Sequence, residues 1–219
     1  MLVISTIADT SSKFSLLSRE RLLFNIAAID CVCQKNISGD IVEIGVWKGG
    51  SMLAMLLALE KNNCLDRTVH LYDTFEGMTP STEADKDFKG RDANDLIKED
   101  SFWSCISGLE EVQRNISQNS KYPSHLINYH KGDICKTQFI PDNIAVLRLD
   151  TDWYESTKFE LDHFYDKVSS GGIIIIDDYG WWKGCKKAVD EFLDSRNANQ
   201  DKKINIQPID MEGVYIVKP

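Results

Sequence analysis

Four aspartates are the residues of this chain whose types and spacing best suit joint chemistry. Asp150 and Asp152 follow the apolar run Ile144–Leu149, and Asp177 and Asp178 follow the run Ile173–Ile176. The stretch Glu155–Val168 between the runs reads as a helix. In a right-handed βαβ unit, successive parallel strands end on the same edge of the sheet. The crevice outside those carboxyl ends is where open α/β sheets bind ligands. Carboxylates brought into one small volume repel each other unless they share a cation, and an all-oxygen donor set suits a hard divalent ion such as magnesium. Such an ion lowers the pKa of a hydroxyl and orients it. A further carboxylate, near the ion but not on it, can then take the proton. The plain alternative for each aspartate is a solvated strand-end turn or a helix cap.

A second constellation is Glu43, Gly45, Gly49, Gly50 and Ser51, spread over a strand, a turn and a helix start. Gly45 permits a tight turn and a close ligand approach. Gly49 and Gly50 leave a helix N-terminus bare for a carboxylate or phosphate, and Ser51 adds a hydroxyl. The spacing is G-x-x-x-G-G rather than the G-x-G-x-x-G of dinucleotide folds. With Glu43 two residues before the first glycine, it resembles the first motif of S-adenosylmethionine (SAM) methyltransferases, in which the acid orients the methionine end of the ligand. Asp73, at the end of the next strand, is placed to accept hydrogen bonds from ribose hydroxyls. Asp133, after the third strand, is placed to accept from an adenine amine, or else is a solvated turn residue.

The elements that must hold these groups alternate between period 2 and period 3.6. Strands are expected at residues 40–44, 69–72, 125–129, 144–149 and 172–176, and helices at 18–33, 50–61, 102–117, 156–168 and 183–193. Residues 204–209 and 214–217 read as a terminal hairpin. Strand–helix alternation predicts an α/β fold with a mostly parallel sheet and helices on both faces. The polar stretch 74–100, with Gly77, Pro80 and Gly90, reads as a long lid-like connection. Residues 1–35 read as an N-terminal helical segment that covers substrate or cofactor, ahead of the main domain 36–219.

A chain of 219 residues with 42% hydrophobic and 27% charged residues supports one globular domain. Its net charge of −9, with basic residues scattered singly or in pairs, excludes a nucleic-acid footprint. Nothing approaches the run of roughly 18–20 apolar residues of a membrane span. The N-terminus lacks the pattern of a secretory signal. The six cysteines are then expected as reduced thiols in a cytoplasmic protein. The four histidines are dispersed and form no metal or triad spacing. Tyr179, Trp153, Trp181 and Trp182 flank the aspartate clusters and could face a sugar or adenine ring.

Together these segments resemble the macrocin O-methyltransferase family, over roughly residues 18–193. The sharpest pieces are Glu43–Gly50, Asp73–Met78, Leu147–Thr157 and Asp177–Gly180. The resemblance implies a Rossmann-like class I SAM methyltransferase fold with seven strands. It also implies a SAM- and magnesium-dependent O-methyltransferase. Family metal ligands fall on Asp150, Asp177 and Asp178, and the proposed base falls on Asp152, with Asp150 the other candidate for that role. Thr151 stands where the family commonly has glycine, and Thr74 where it has serine. The expected acceptor is a hydroxyl of a sugar, on a glycosylated natural product or a surface-polysaccharide precursor. A catechol-like aromatic diol and a non-catalytic nucleotide-binding module are the competing readings. The chain leaves a homodimer open.

Overall fold

The computed structural model describes residues 2–198 and 203–219. Helices α1 (Leu2–Ser11) and α2 (Arg19–Gln34) precede strand β1 (Asp40–Ile44). Then follow α3 (Gly50–Lys61), β2 (Val69–Asp73), α4 (Ala93–Glu99), α5 (Leu109–Asn119) and β3 (Ile127–Lys131). The chain continues through β4 (Ile144–Leu149), α6 (Tyr154–Phe164), β5 (Val168–Ile176) and α7 (Lys183–Asn197) to β6 (Gln207–Pro208) and β7 (Val214–Val217). The seven strands lie in the order β3-β2-β1-β4-β5-β7-β6. β1 to β5 are parallel, β7 runs antiparallel to β5, and β6 pairs antiparallel with β7. This is the α/β sheet expected for a class I methyltransferase.

The central strands are apolar on both sides because both faces of the sheet are covered. Side-chain alternation along a strand divides the core in two. Ile41, Leu71 and Ile175 pack with α1, α2, α3 and α5 on one face, and Val42, Leu147 and Ile174 pack with α4, α6 and α7 on the other. The N-terminal helices belong to this core, since Ile7, Leu22 and Ile26 lie in the first cluster. Strand order reverses between β1 and β4, and the crevice at such a switch point receives ligands. Among the described residues no helix is long and apolar enough to cross a membrane.

Several boundaries differ from the sequence expectation. The helix expected at 102–117 starts only at Leu109, because Cys105 takes a left-handed φ of 47° and Gly108 forms the N-cap. β3 lies two residues later than expected, starting after the short 3₁₀ turn Ser124–Leu126 and running until Lys131 pairs with Asp73. α6 stops at Phe164, and β5 starts four residues earlier than expected, at Val168, which pairs with Ile144 across a bulge. The hairpin arm expected at 204–209 is a strand only at Gln207–Pro208. Pro208 has no N–H to donate, which confines it to an edge.

Residues 74–100 are not a bare loop. They carry α4, whose N-cap Asp92 accepts from Asn94 N at 2.9 Å, and two antiparallel bridges, Lys86 to Asp92 and Asp87 to Trp182. The wholly buried carboxylate of Asp85 accepts from Thr82 N at 2.7 Å and from Tyr154 N at 2.8 Å, which fastens the segment to the start of α6.

Candidate active site

A cavity of about 430 Å³ opens at the carboxyl ends of β1, β2, β4 and β5. Phe14 to Leu17, joining α1 to α2, form one wall, and Met78, Trp103 and Trp181 form another. Asp150, Asp152, Asp177 and Asp178 all line it, as the βαβ argument expects. β4 and β5 are adjacent and in register, Leu149 beside Ile176, so the residues after each strand end meet. One carboxylate oxygen from each of Asp150, Asp177 and Asp178 lies within 4.8 Å of the others.

These acids are partly compensated by two arginines that the sequence reading passed over. Arg148 is wholly buried on β4. Its Nη1 donates to Glu43 Oε1 at 3.0 Å and to Asp150 Oδ2 at 2.7 Å, and its Nη2 donates to Asp177 Oδ1 at 2.7 Å. Arg21, on α2, donates to Asp177 Oδ2 and to Glu212 Oε2, each at 2.5 Å, and its Nε lies 3.1 Å from Asp210. A shared cation is therefore not the sole answer to the repulsion. The two guanidinium groups pair with Glu43, Asp150 and Asp177, and Arg21 also with Asp210 and Glu212, while among the described residues no salt bridge joins either arginine to Asp152 or Asp178. Burial and the charge of Asp150 push the Asp177 carboxyl up to about 7 despite both arginines. Burial, then the neighbouring aspartates, hold Asp178 well above the usual carboxylate range.

Asp152 stands apart from the arginines. Its Oδ1 accepts from Trp182 Nε1 at 2.8 Å. Burial, with the charge of Asp150 next, raises it to about 7. Its backbone is left-handed, with φ 67°, a conformation that costs a non-glycine residue roughly 1–3 kcal/mol and concentrates at functional sites. Thr151 beside it is anchored below, with its hydroxyl 2.7 Å from the buried Glu160 Oε1 and 2.8 Å from Ser156 Oγ.

Of the residues expected to bind cofactor, Gly45, Ser51, Asp73 and Asp133 line the cavity. Gly45 has φ 85°, and a Cβ there would sit 1.9 Å from the Asp150 carbonyl oxygen, so only glycine fits. Asp73 accepts from Val46 N at 2.7 Å and Trp47 N at 3.1 Å through Oδ2, and from Phe75 N at 2.6 Å through Oδ1. It therefore ties the glycine turn to the end of β2. Asp133 caps a 3₁₀ turn by accepting from Cys135 N at 3.0 Å. Ser51 Oγ accepts from Asn25 Nδ2 at 2.9 Å. Glu43, Gly49 and Gly50 are not in the cavity wall. Glu43 lies buried beneath it against Arg148, and burial raises its carboxyl to about 7. At Gly50 a Cβ would come within 2.5 Å of the Phe14 backbone, so this glycine lets the α1–α2 connection close over α3. The one sequence signal for Arg148 is a charge inside an otherwise apolar run, at the register position facing Glu43.

The pattern of the macrocin-O-methyltransferase (TylF) family matches residues 8–218. The demethyldecarbamoylnovobiocin O-methyltransferase of Streptomyces niveus is 37% identical over 190 residues, covering 85% of this chain and 69% of that protein. The mycinamicin III 3''-O-methyltransferase of Micromonospora griseorubida is 31% identical over 190 residues, covering 85% and 71%. Among solved structures, the O-methyltransferase NovP superposes with a TM-score of 0.79 at 32% identity, over 94% of this chain and 82% of that one. Fold and sequence thus agree that this chain belongs to the macrocin-O-methyltransferase family of SAM-dependent O-methyltransferases.

Proposed function

We propose that this enzyme methylates a hydroxyl of a sugar, on a glycosylated natural product or a surface-polysaccharide precursor. Asp150, Asp177 and Asp178 would hold a divalent cation, Mg2+ by its oxygen chemistry, and Asp152 would serve as general base. The observation that carries this reading is the cluster of three carboxylate oxygens within 4.8 Å of one another, with a fourth carboxylate, Asp152, in the same cavity wall. The all-oxygen donor set and the excess of acid over arginine fit a hard cation. A relative that acts on a rhamnosyl-tetracenomycin supports a sugar acceptor; it is 32% identical over 195 residues and comes from Streptomyces olivaceus.

Methyl transfer from a sulfonium is a direct displacement, so the protein must align donor and acceptor and remove one proton. A divalent cation held by Asp150, Asp177 and Asp178 would supply Lewis-acid polarisation of the acceptor hydroxyl. Asp152 Oδ2 accepts the proton while Trp182 holds Oδ1, and a carboxyl raised to about 7 matches general-base work near neutrality. Asp150 suits that role less, because its Oδ2 is tied to Arg148. Ser51, Asp73 and Asp133 line the side of the cavity assigned to SAM, and Glu43 stiffens that side from below. Phe14–Leu17 and residues 74–100 form the cover.

The apolar wall of Met78, Trp103 and Trp181 favours a second reading, an aromatic diol as acceptor. Release of S-adenosylhomocysteine from SAM, measured with neutral aryl glycosides and with catechols, separates the two. Turnover of glycosides alone, lost to chelator and restored by Mg2+, is the expected result. Turnover of catechols alone replaces the sugar by the diol, and turnover indifferent to chelator removes the metal.

A further inference from the structure

The carboxylates assigned to the cation stand on strand ends, where the sheet ladder fixes the backbone but not the side chains. Asp150 follows β4 and Asp177 follows β5, each just beyond the last paired residues, Leu149 and Ile176. Arg148 connects the two. It rises from β4 with no solvent exposure and spans both strand ends with one planar guanidinium, Nη1 on Asp150 Oδ2 and Nη2 on Asp177 Oδ1, each at 2.7 Å. Arg21 reaches in from α2 and takes the other Asp177 oxygen. The plane of the Asp177 carboxylate is thereby held between two rigid forks, while each oxygen keeps a second lone pair for another partner.

We propose that Arg148, backed by Arg21, is a positioning residue that sets the spacing and orientation of Asp150 and Asp177 for the cation. The inference rests on the metal reading above. The fork carries this role rather than the charge. A guanidinium offers donors at fixed angles to two carboxylates at once, whereas an ammonium is a point charge on a flexible stem. Groups that orient metal ligands from behind typically contribute 10- to 100-fold to metal affinity. Removing a positive charge would by itself favour cation binding, so only a charge-preserving change isolates the geometry.

The test is calorimetric titration of Mg2+ into the protein saturated with S-adenosylhomocysteine, for wild type, Arg148→Lys and Arg21→Lys. Thermal denaturation in chelator checks that each variant folds. Arg148→Lys is expected to weaken Mg2+ binding by about 10- to 100-fold, and Arg21→Lys to weaken it by less. A purely structural arginine would lower the melting temperature and leave Mg2+ affinity unchanged, and that result overturns the proposal. If Arg148→Lys does not fold, Arg21→Lys decides, and unchanged affinity there overturns the proposal equally. A wild type that binds no Mg2+ is a different failure, since it removes the metal reading and this one with it.

Discussion

At the scale of single residues, the site separates aspartates by what holds them. Asp177 is gripped on both oxygens by arginines, whereas Asp152 takes its hydrogen bond from an indole and sits in a left-handed backbone. That contrast predicts different outcomes for two isosteric changes. Asp177→Asn replaces a proposed anionic ligand by a neutral amide and is expected to move the Mg2+ midpoint of activity upward. Asp152→Asn is expected to keep that midpoint and lower the rate by roughly 10²–10⁴, the usual value of general-base help. A magnesium titration of each variant checks both. Equal shifts of the midpoint would make Asp152 a ligand and end the division of roles.

At the scale of elements, the cover of the cavity is built from two stretches that the sheet does not contain. The α1–α2 connection closes over α3 because Gly50 admits the Phe14 backbone. Residues 74–100 are fastened by buried Asp85, which bonds both its own turn and the first residue of α6. Hydrogen bonds to a charged group contribute about 1.5–3 kcal/mol each, so release of this segment costs several such bonds. Asp85→Ala is expected to free it, with limited proteolysis cutting within residues 79–92 much faster than in wild type and SAM with acceptor slowing the cut. Identical cleavage of variant and wild type would show that Asp85 does not fasten the cover.

At the scale of the molecule, the cluster ties stability to pH. Glu43, Asp152 and Asp177 are raised to about 7, chiefly by burial, and burial also holds Asp178 and Glu160 well above their usual values. In the unfolded chain the same groups lose their protons near their ordinary values of about 4. Between about 5 and 7 the folded state thus holds more protons than the unfolded one, and stability falls as pH rises. Asp87 and Asp210 shift the other way, and their contribution is lost only below the ordinary carboxylate range. Without metal, the melting temperature is expected to be higher at pH 5 than at pH 8. Added Mg2+ should raise it more at pH 8, where a cation takes the place of protons. A melting temperature in chelator that is flat or rises from pH 5 to pH 8 would contradict the charge excess at the site.

The sequence by itself determined that a mostly parallel sheet forms from these strands and that four aspartates meet at its carboxyl ends. Apolar runs punctuated by acids and glycines are local signals, and the handedness of the crossover does the rest. It also determined the family, through motifs that sit at those strand ends. It misplaced α5, β3 and the start of β5, and left α4 unseen in the polar stretch 74–100. There the deciding terms are a left-handed Cys105, a bulge between β4 and β5, the buried Asp85 and the N-cap Asp92. Only the tertiary structure decided which charges balance the aspartates. Glu43 and Arg148 are 105 positions apart and Arg21 and Asp177 are 156 apart. Their pairing depends on strand register and on how α2 packs on the face of the sheet, and no spacing along the chain encodes either. It likewise decided that Glu43, Gly49 and Gly50 support the cavity from behind rather than line it, because which side of a turn faces a ligand is set by what the rest of the chain packs against it.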